Sequence, residues 1–236
     1  MKRHIPNLIT CLNILTGAAG IVTVAVKQDP SLALPFILLA GVFDFFDGLA
    51  ARMLRVQSDI GKELDSLADV ISFGMLPAAA LVIGLSQRIT SGIFDFRELP
   101  FWALIGLLIV PFSALRLAKF NLATDQSDEF KGLPTPANAI LIGAFLYTSL
   151  GFVSAGFLIG LTLLSCFLLV SNIPMLAFKF KTMQWQGNEA KYVLLLILLV
   201  GLILLQQAFL PFVIPTYILV SIVGNYLVRK GAFREQ

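Results

Sequence analysis

Residues 43–70 read FDFFDGLAARMLRVQSDIGKELDSLADV and place four aspartates in apolar surroundings. Asp44 and Asp47 fall within one long apolar run, and Asp65 and Asp69 open the next one. An ionised carboxylate at membrane depth costs on the order of a few kcal/mol, so such residues are rare and mark functional sites. The stretch therefore predicts an acidic site between two consecutive membrane helices.

The rest of the chain supports a membrane setting. Of its 236 residues, 58% are hydrophobic and 13% are charged, and the mean hydropathy is +0.88. A water-soluble domain would leave much of that apolar surface exposed, whereas a membrane helix needs about 20 apolar residues. We predict an all-α integral membrane protein, a polytopic bundle of about eight transmembrane helices: 8–27, 31–55, 64–86, 100–118, 135–151, 153–175, 190–208 and 211–228.

Basic residues predict the orientation of these helices, because cytoplasmic loops are enriched in lysine and arginine. With eight spans and a cytoplasmic N-terminus, only Lys27, Arg88 and Arg97 of the 17 basic residues lie outside. We therefore expect a multi-pass protein of the cell (inner) membrane, with both termini and the acidic site on the cytoplasmic side. The net charge of +3 then reflects topology, and we expect no nucleic-acid binding.

We predict one helical bundle in which a C-terminal part, 176–236, is added to a six-helix catalytic core, 1–175. The second part begins with an interfacial polar segment and continues into two further helices. The single histidine, His4, lies in the N-terminal tail, so a general base must be a carboxylate or a lysine. Cys11 and Cys166 lie inside predicted spans without CxxC spacing, which indicates inert buried thiols.

Helical spacing brings the aspartates onto two faces. Positions 44, 47, 48, 51 and 52 share one face of the second helix, which reads Asp, Asp, Gly, Ala, Arg. Positions 61, 65, 69 and 72 share one face of the third helix, which reads Gly, Asp, Asp, Ser. A turn centred near residue 58 would put Asp47 and Asp69 at the same depth, so that the two acidic faces meet.

Four carboxylates that meet repel one another unless cations join them. Because oxygen ligands favour hard cations, we expect two Mg²⁺ or Mn²⁺ ions held by the four aspartates. A pair of metals about 4 Å apart stabilises the attacking and leaving oxygens of a phosphoryl transfer. The small residues Gly48, Ala51 and Gly61 would let a bulky ligand approach the helix backbones, and Arg52 would neutralise phosphate charge.

Two plainer interpretations stand beside this one. The aspartates would pair with nearby arginines and merely pack the bundle, although four acids on matched faces outnumber the cations around them. Asn7 and Thr10, polar at i and i+3 near the membrane entrance, would either contact a ligand or simply cap the first helix.

The motif itself is specific. Asp44-x2-Asp47-Gly48-x2-Ala51-Arg52-x8-Gly61-x3-Asp65-x3-Asp69 resembles the full signature of the CDP-alcohol phosphotransferases, with no departure at any fixed position. The wider chain resembles the serine O-phosphatidyltransferase branch of that family. The features are IPNLITCLNILTG, ELDSLADVISFGMLPA, and RLAKFN followed by FKGLPTPAN, and the likeness covers roughly residues 5–140.

The resemblance implies a role for each motif residue. Asp44 and Asp65 would each bridge two metals, Asp47 would bind the first metal, and Asp69 the second. Asp69 would also be the general base that takes the proton of the acceptor hydroxyl. The CDP part of the donor would contact Gly48, Arg52 and Ser58, together with the N-terminal segment from Asn7 to Thr10. A homodimer is likewise implied by the resemblance alone.

The acceptor is assigned from charge and resemblance together. L-Serine carries a carboxylate that requires a cation, and the inside end of the fourth helix with its loop offers such groups: Arg116, Lys119, Asn121 and Lys131. Each of them is equally compatible with a positive-inside anchor that meets lipid headgroups. Arg116 lies deepest in the span and is the favoured ligand.

The predicted reaction is therefore transfer of the phosphatidyl group of CDP-diacylglycerol to L-serine, with membrane lipids around both. Glycerol 3-phosphate or inositol phosphate as the acceptor is an alternative with the same chemistry. A cation transporter is a rival from another class, although transporters typically show matched halves. The choice of metal, the acyl chains and an ester or ether donor stay open.

Overall fold

The chain folds into apolar helices, as expected for segments that must satisfy their backbone hydrogen bonds within lipid. The computed structural model describes residues 4–56, 58–90, 99–122, 130–148, 153–176 and 188–229. Its helices are α1 His4–Lys27, α2 Ala33–Leu54, α3 Asp59–Asp69, α4 Leu76–Thr90, α5 Ile109–Leu122, α6 Thr135–Thr148, α7 Ala155–Val170, α8 Glu189–Leu205 and α9 Leu210–Arg229. Short 3₁₀ turns precede α2, α5 and α9: Pro30–Leu32, Phe101–Leu108 and Gln206–Phe209.

Five helical stretches among the described residues are long and apolar enough to cross a bilayer: His4–Lys27, Pro30–Leu54, Asp59–Thr90, Phe101–Leu122 and Glu189–Tyr226. Helix α7 is apolar but shorter. The prediction of an all-α membrane protein is confirmed at this level. The central stretch, Asp59–Thr90, is the most buried of the five, whereas the C-terminal one is the least.

The C-terminal stretch is a hairpin of two helices. Gln206 adopts a left-handed φ of 49° between α8 and the turn that precedes α9. The ring of Phe209 lies directly against Gly201 near the turn, and a Cβ on Gly224 would lie 3.0 Å from the Cβ of Ala190 at the far end. Helices α8 and α9 are therefore antiparallel neighbours, which agrees with the two predicted spans 190–208 and 211–228.

Helix α7 ends earlier than the predicted span 153–175. Beyond Val170 the chain becomes extended and forms strand β2, Pro174–Met175, which pairs antiparallel with β1, Phe130–Lys131. The hydrogen bonds of this ladder replace those that a continued helix would make. The length of the apolar run alone therefore does not predict the residue at which α7 ends.

The turn between α2 and α3 is shorter than the polar sequence suggests. Arg55 ends α2 in the left-handed region with φ of 52°, and its backbone N–H donates to Ala51 and Arg52 carbonyls. Ser58 caps α3, since its side chain accepts from Gly61 N at 3.0 Å. The connection between the two helices is thus centred before residue 58.

Helix α3 continues into α4 through a π-helical turn, Val70–Met75. This turn packs against α1, where Gly17 lies against the backbone of Ser72. One turn further along α1, Gly20 lies against Phe36 of α2 and Leu76 of α4. Ser72 Oγ also donates to Asn13 O at 3.0 Å. Helix α1 therefore supports the end of the helix that carries Asp65 and Asp69.

A Gly17→Ala substitution is expected to destabilise the protein. The added Cβ would lie 2.8 Å from Ser72 Cα, so backbone must move, which costs about 1–3 kcal/mol. Thermal unfolding in detergent would show this as a lower midpoint. Gly160→Ala is the matched control, because its Cβ meets nothing within 4 Å. Equal midpoints for the two variants would contradict the close packing at Gly17.

Candidate active site

Helices α2 and α3 bring three carboxyl groups together. One oxygen from each of Asp44, Asp47 and Asp65 lies within 4.8 Å of the others. Asp47 is buried, and the other two are half-buried. The predicted meeting of two acidic faces is therefore present in the structure.

Asp69 lies one helical turn beyond Asp65 and is 8% exposed. It interacts electrostatically with the other three acids. That Asp47 and Asp69 lie at the same depth stays a prediction, whereas Asp44, Asp47 and Asp65 are the three whose oxygens lie close together.

The four carboxylates fit a divalent cation. Asp65 Oδ1 and Asp69 Oδ1 are buried and have no hydrogen-bond partner among the described residues. Buried acceptors are normally paired, so two orphaned oxygens in one acidic cluster require another ligand. The donors are all oxygens, which suits a hard cation such as Mg²⁺ or Mn²⁺.

Helix α1 supplies a partner to one of these carboxylates. The buried hydroxyl of Thr10 donates to Asp47 Oδ2 at 2.7 Å and also lies 3.1 Å from Pro6 O. The sequence assigned Thr10 to the CDP part of a donor, but here its hydroxyl orients a candidate metal ligand. Its role toward CDP stays a prediction.

Thr10→Val is expected to raise the metal concentration that gives half-maximal activity by about tenfold, the low end for lost partners of metal ligands. Valine keeps the shape of threonine but cannot donate to Asp47. Thr16→Val is the matched control, since Thr16 donates to Leu12 O within its own helix at 2.7 Å. The same metal dependence in both variants would remove Thr10 from this role.

The residues predicted to hold CDP form two groups. On α2, Arg52 Nε donates to Gly48 O at 3.0 Å, and Ala51 is half-buried between them in sequence. On α3, a Cβ at Gly61 would lie 3.0 Å from Ser58 Oγ and 3.2 Å from Asn7 Oδ1. Asn7, Ser58 and Gly61 are therefore neighbours, although Ser58 Oγ already serves as the cap of α3.

Arg116 reaches the acidic cluster from α5. Its guanidinium interacts electrostatically with Asp69, and Nη1 donates to Thr135 Oγ1 at 2.7 Å. The ring of Phe120 lies 5.6 Å from its Cζ, within the range of a cation–π contact. Arg116 is half-buried, and the carboxylate with which it interacts is the one predicted to act as base.

The other residues predicted for the acceptor are placed differently. Asn121 Nδ2 donates to Ser66 Oγ at 2.8 Å, so this amide joins α5 to α3. Lys119 is exposed on the last turns of α5. Lys131 lies in β1, and its side chain is outside the described part of the structure.

Sequence reasoning missed two residues beside Arg116. Thr135, at the start of α6, is fully buried and accepts the hydrogen bond from Arg116. Tyr217, on α9, is close enough to interact electrostatically with the same guanidinium. The signal that pointed to Tyr217 was available: Tyr217, Ser221 and Asn225 recur every four residues within an apolar span.

Comparison with known proteins agrees with this geometry. Residues 3–168 match the family model described as CDP-alcohol phosphatidyltransferase. The chain is 32% identical over 183 residues to the CDP-diacylglycerol–serine O-phosphatidyltransferase of Mycobacterium tuberculosis, covering 72% of this chain and 60% of that one. It is 38% identical over 148 residues to the archaetidylserine synthase of Methanothermobacter thermautotrophicus, covering 61% of this chain and 58% of that one.

A third relative extends the likeness into the C-terminal helices. The CDP-diacylglycerol–serine O-phosphatidyltransferase of Helicobacter pylori is 31% identical over 230 residues, which cover 94% of this chain and 87% of that one. The chain spans about 60% of the length of the mycobacterial and archaeal relatives. The resemblance predicted from the aspartate motif is confirmed, and the chain belongs to the CDP-alcohol phosphatidyltransferase family.

Proposed function

We propose that the protein transfers the phosphatidyl group of CDP-diacylglycerol to the hydroxyl of L-serine. The serine oxygen forms a bond to the lipid-side phosphorus, the bond from that phosphorus to CMP breaks, and the products are phosphatidylserine and CMP. The names of the relatives support this activity. The observation that carries it is the electrostatic interaction of a cation, Arg116, with Asp69, together with the hydrogen bond that Arg116 donates to Thr135.

The proposed roles follow from the position of each carboxylate. Two Mg²⁺ or Mn²⁺ ions held by Asp44, Asp47, Asp65 and Asp69 would supply positive charge for the phosphoryl oxygens. Asp69 takes the proton of the acceptor hydroxyl, because it is the acid that interacts electrostatically with Arg116. Thr10 keeps Asp47 oriented. Arg52 and the group around Gly61 hold the CDP part.

Arg116 is proposed to bind the carboxylate of serine. One of its nitrogens is used by Thr135, which fixes the plane of the guanidinium. The remaining donors match a carboxylate, and the fixed fork geometry orients the serine hydroxyl toward Asp69. Lys119 and Lys131 would attract the substrate or bind headgroups at the membrane surface.

The alternatives are weaker on the same observations. A phosphorylated acceptor such as glycerol 3-phosphate or inositol phosphate would need several cations beside the cluster, whereas Lys119 is exposed and Asn121 is used by Ser66. A cation transporter would need acids along a path. The described acids that could hold a metal instead gather at one point.

CMP release by the purified protein tests the proposal. With CDP-diacylglycerol and Mg²⁺ or Mn²⁺, release is expected with L-serine and not with glycerol 3-phosphate or inositol phosphate. A chelator should abolish it, and excess metal should restore it. CMP release that depends on a different acceptor would show that serine is not the substrate. CMP release without any added acceptor would show that the protein does not transfer the phosphatidyl group to an alcohol of this kind.

We also propose that the chain crosses the membrane eight times, as a homodimer, with the site on the cytoplasmic side. Hydrogen bonds between helix ends support this arrangement. At one end of the bundle, Gln87 Nε2 donates to Gln28 O at 2.6 Å, and at the other end Lys62 Nζ donates to Asn121 O at 3.4 Å. The first of these includes the helix ends at Lys27 and Arg88, which the basic-residue pattern places outside.

Cysteine labelling in intact cells checks this orientation. In a background without Cys11 and Cys166, a cysteine in segment 91–98 is expected to react with an impermeant reagent added outside. A cysteine in segment 123–129 is expected to react only after the cells are broken. The reverse pattern would move the active site to the other face of the membrane.

A further inference from the structure

Helix α9 carries a line of polar side chains that bind one backbone segment. Tyr217 OH donates to Leu176 O at 2.9 Å, and Ser221 Oγ accepts from Leu176 N at 3.2 Å. One turn further, Asn225 Nδ2 donates to Pro174 O at 2.7 Å. Polar groups within an apolar span are costly unless they are paired, so this helix is shaped to hold residues 174–176.

The segment held by α9 is joined to the loop that follows α5. Strand β2 pairs with β1, and beside that pair Gly132 N donates to Ile173 O at 2.9 Å and Leu133 N to Leu168 O at 2.9 Å. Gly132 has φ of 78°, and a Cβ there would lie 2.8 Å from Ser171 O. The segment from β1 to the start of α6 is therefore hydrogen-bonded to the end of α7 and to β2.

This segment leads directly to Thr135 and Arg116, which form the proposed acceptor side of the site. Thr135 lies two residues after Leu133 and accepts the hydrogen bond from Arg116. Tyr217 is also near the same guanidinium, so α9 approaches Arg116 both through the loop and directly. Helix α9 packs against α6, whose first residue is Thr135.

We propose that α9 is the positioning element for the acceptor side of the site, with Tyr217, Ser221 and Asn225 holding residues 174–176 and thereby Thr135 and Arg116. The inference rests on the proposed function, because it assigns Arg116 to the acceptor. It makes the C-terminal hairpin a part of substrate recognition, although all four aspartates lie on α2 and α3. A purely structural brace would affect both substrates or only stability.

Steady-state kinetics of three variants test this role: Tyr217→Phe, Ser221→Ala and Asn225→Ala. Each is expected to raise the KM for serine by about three- to tenfold, the factor that one ordinary hydrogen bond gives. The KM for CDP-diacylglycerol should stay within about twofold, since the donor site lies on other helices. Tyr226→Phe is the matched control, because Tyr226 is 55% exposed on the same helix.

A double-variant cycle separates positioning from simple bracing. In an Arg116→Ala background, Tyr217→Phe should have a markedly smaller effect on serine KM than it has alone. Full additivity, unchanged serine KM, or equal rises for both substrates would overturn the inference. If the unmodified protein releases CMP only with another acceptor, serine is wrong, and the KM for that acceptor then decides whether α9 acts as proposed.

Discussion

Asp69→Asn is expected to lose turnover while CDP-diacylglycerol still binds. Asparagine keeps the shape of aspartate but cannot take a proton, and a general base contributes about 10²- to 10⁴-fold to rate. The proposed metal site would also lose one of its oxygen ligands, which adds to that effect. CMP release would measure turnover, and a thermal shift on addition of CDP-diacylglycerol would measure binding.

Two further variants make this result specific. Asp44→Asn is expected to lose both turnover and donor binding, because Asp44 lies within the group of three carboxylates that face one another. Asp59→Asn is the control on the same helix, since Asp59 is exposed in the first turn of α3. Substantial turnover by Asp69→Asn would remove it from the role of base.

Arg116→Ala is expected to lower kcat/KM for serine. The loss corresponds to about 1–3 kcal/mol of transition-state stabilisation, the size of a lost charged hydrogen bond. The loss should appear mainly in the serine KM, and Arg116→Lys should restore part of it because the charge returns without the fork. Donor affinity should change little. Substrate saturation curves for serine and CDP-diacylglycerol provide the measurement.

Lys27→Ala serves as the control for this charge change, because Lys27 is exposed at the far end of α1. A decrease in CDP-diacylglycerol affinity with unaltered serine saturation would assign Arg116 to the donor side. The proposal of serine would then rest on the relatives alone.

Local geometry explains what the sequence predicted well. The spacing of Asp44 and Asp47, and of Asp65 and Asp69, places each pair on one face of any α-helix, so the acidic cluster was predictable. Which carboxylates lie closest together depends also on where α2 ends. The left-handed Arg55 and the cap at Ser58 decide that, and either residue is compatible with a longer turn.

Long-range contacts account for what the sequence left out. The bond from Thr10 to Asp47 joins residues 37 positions apart, and that from Arg116 to Thr135 joins two helices. Asn225 reaches Pro174 across 51 positions. Periodicity describes one helix at a time, so it marked these residues as polar without identifying their partners.

The π-helical turn at Val70–Met75 sets the orientation of α3 relative to α4. A π turn holds one residue more than the α-helical turn it replaces, so it absorbs that residue without turning the helices on either side. If all its residues took α geometry instead, the acidic face of α3 would rotate relative to α4 by about 100° and shift by about 1.5 Å. Helix α4 is buried over nearly all of Leu76–Ser86, so the rotation would fall on α3. The π turn therefore decides the direction in which α3 presents Asp65 and Asp69.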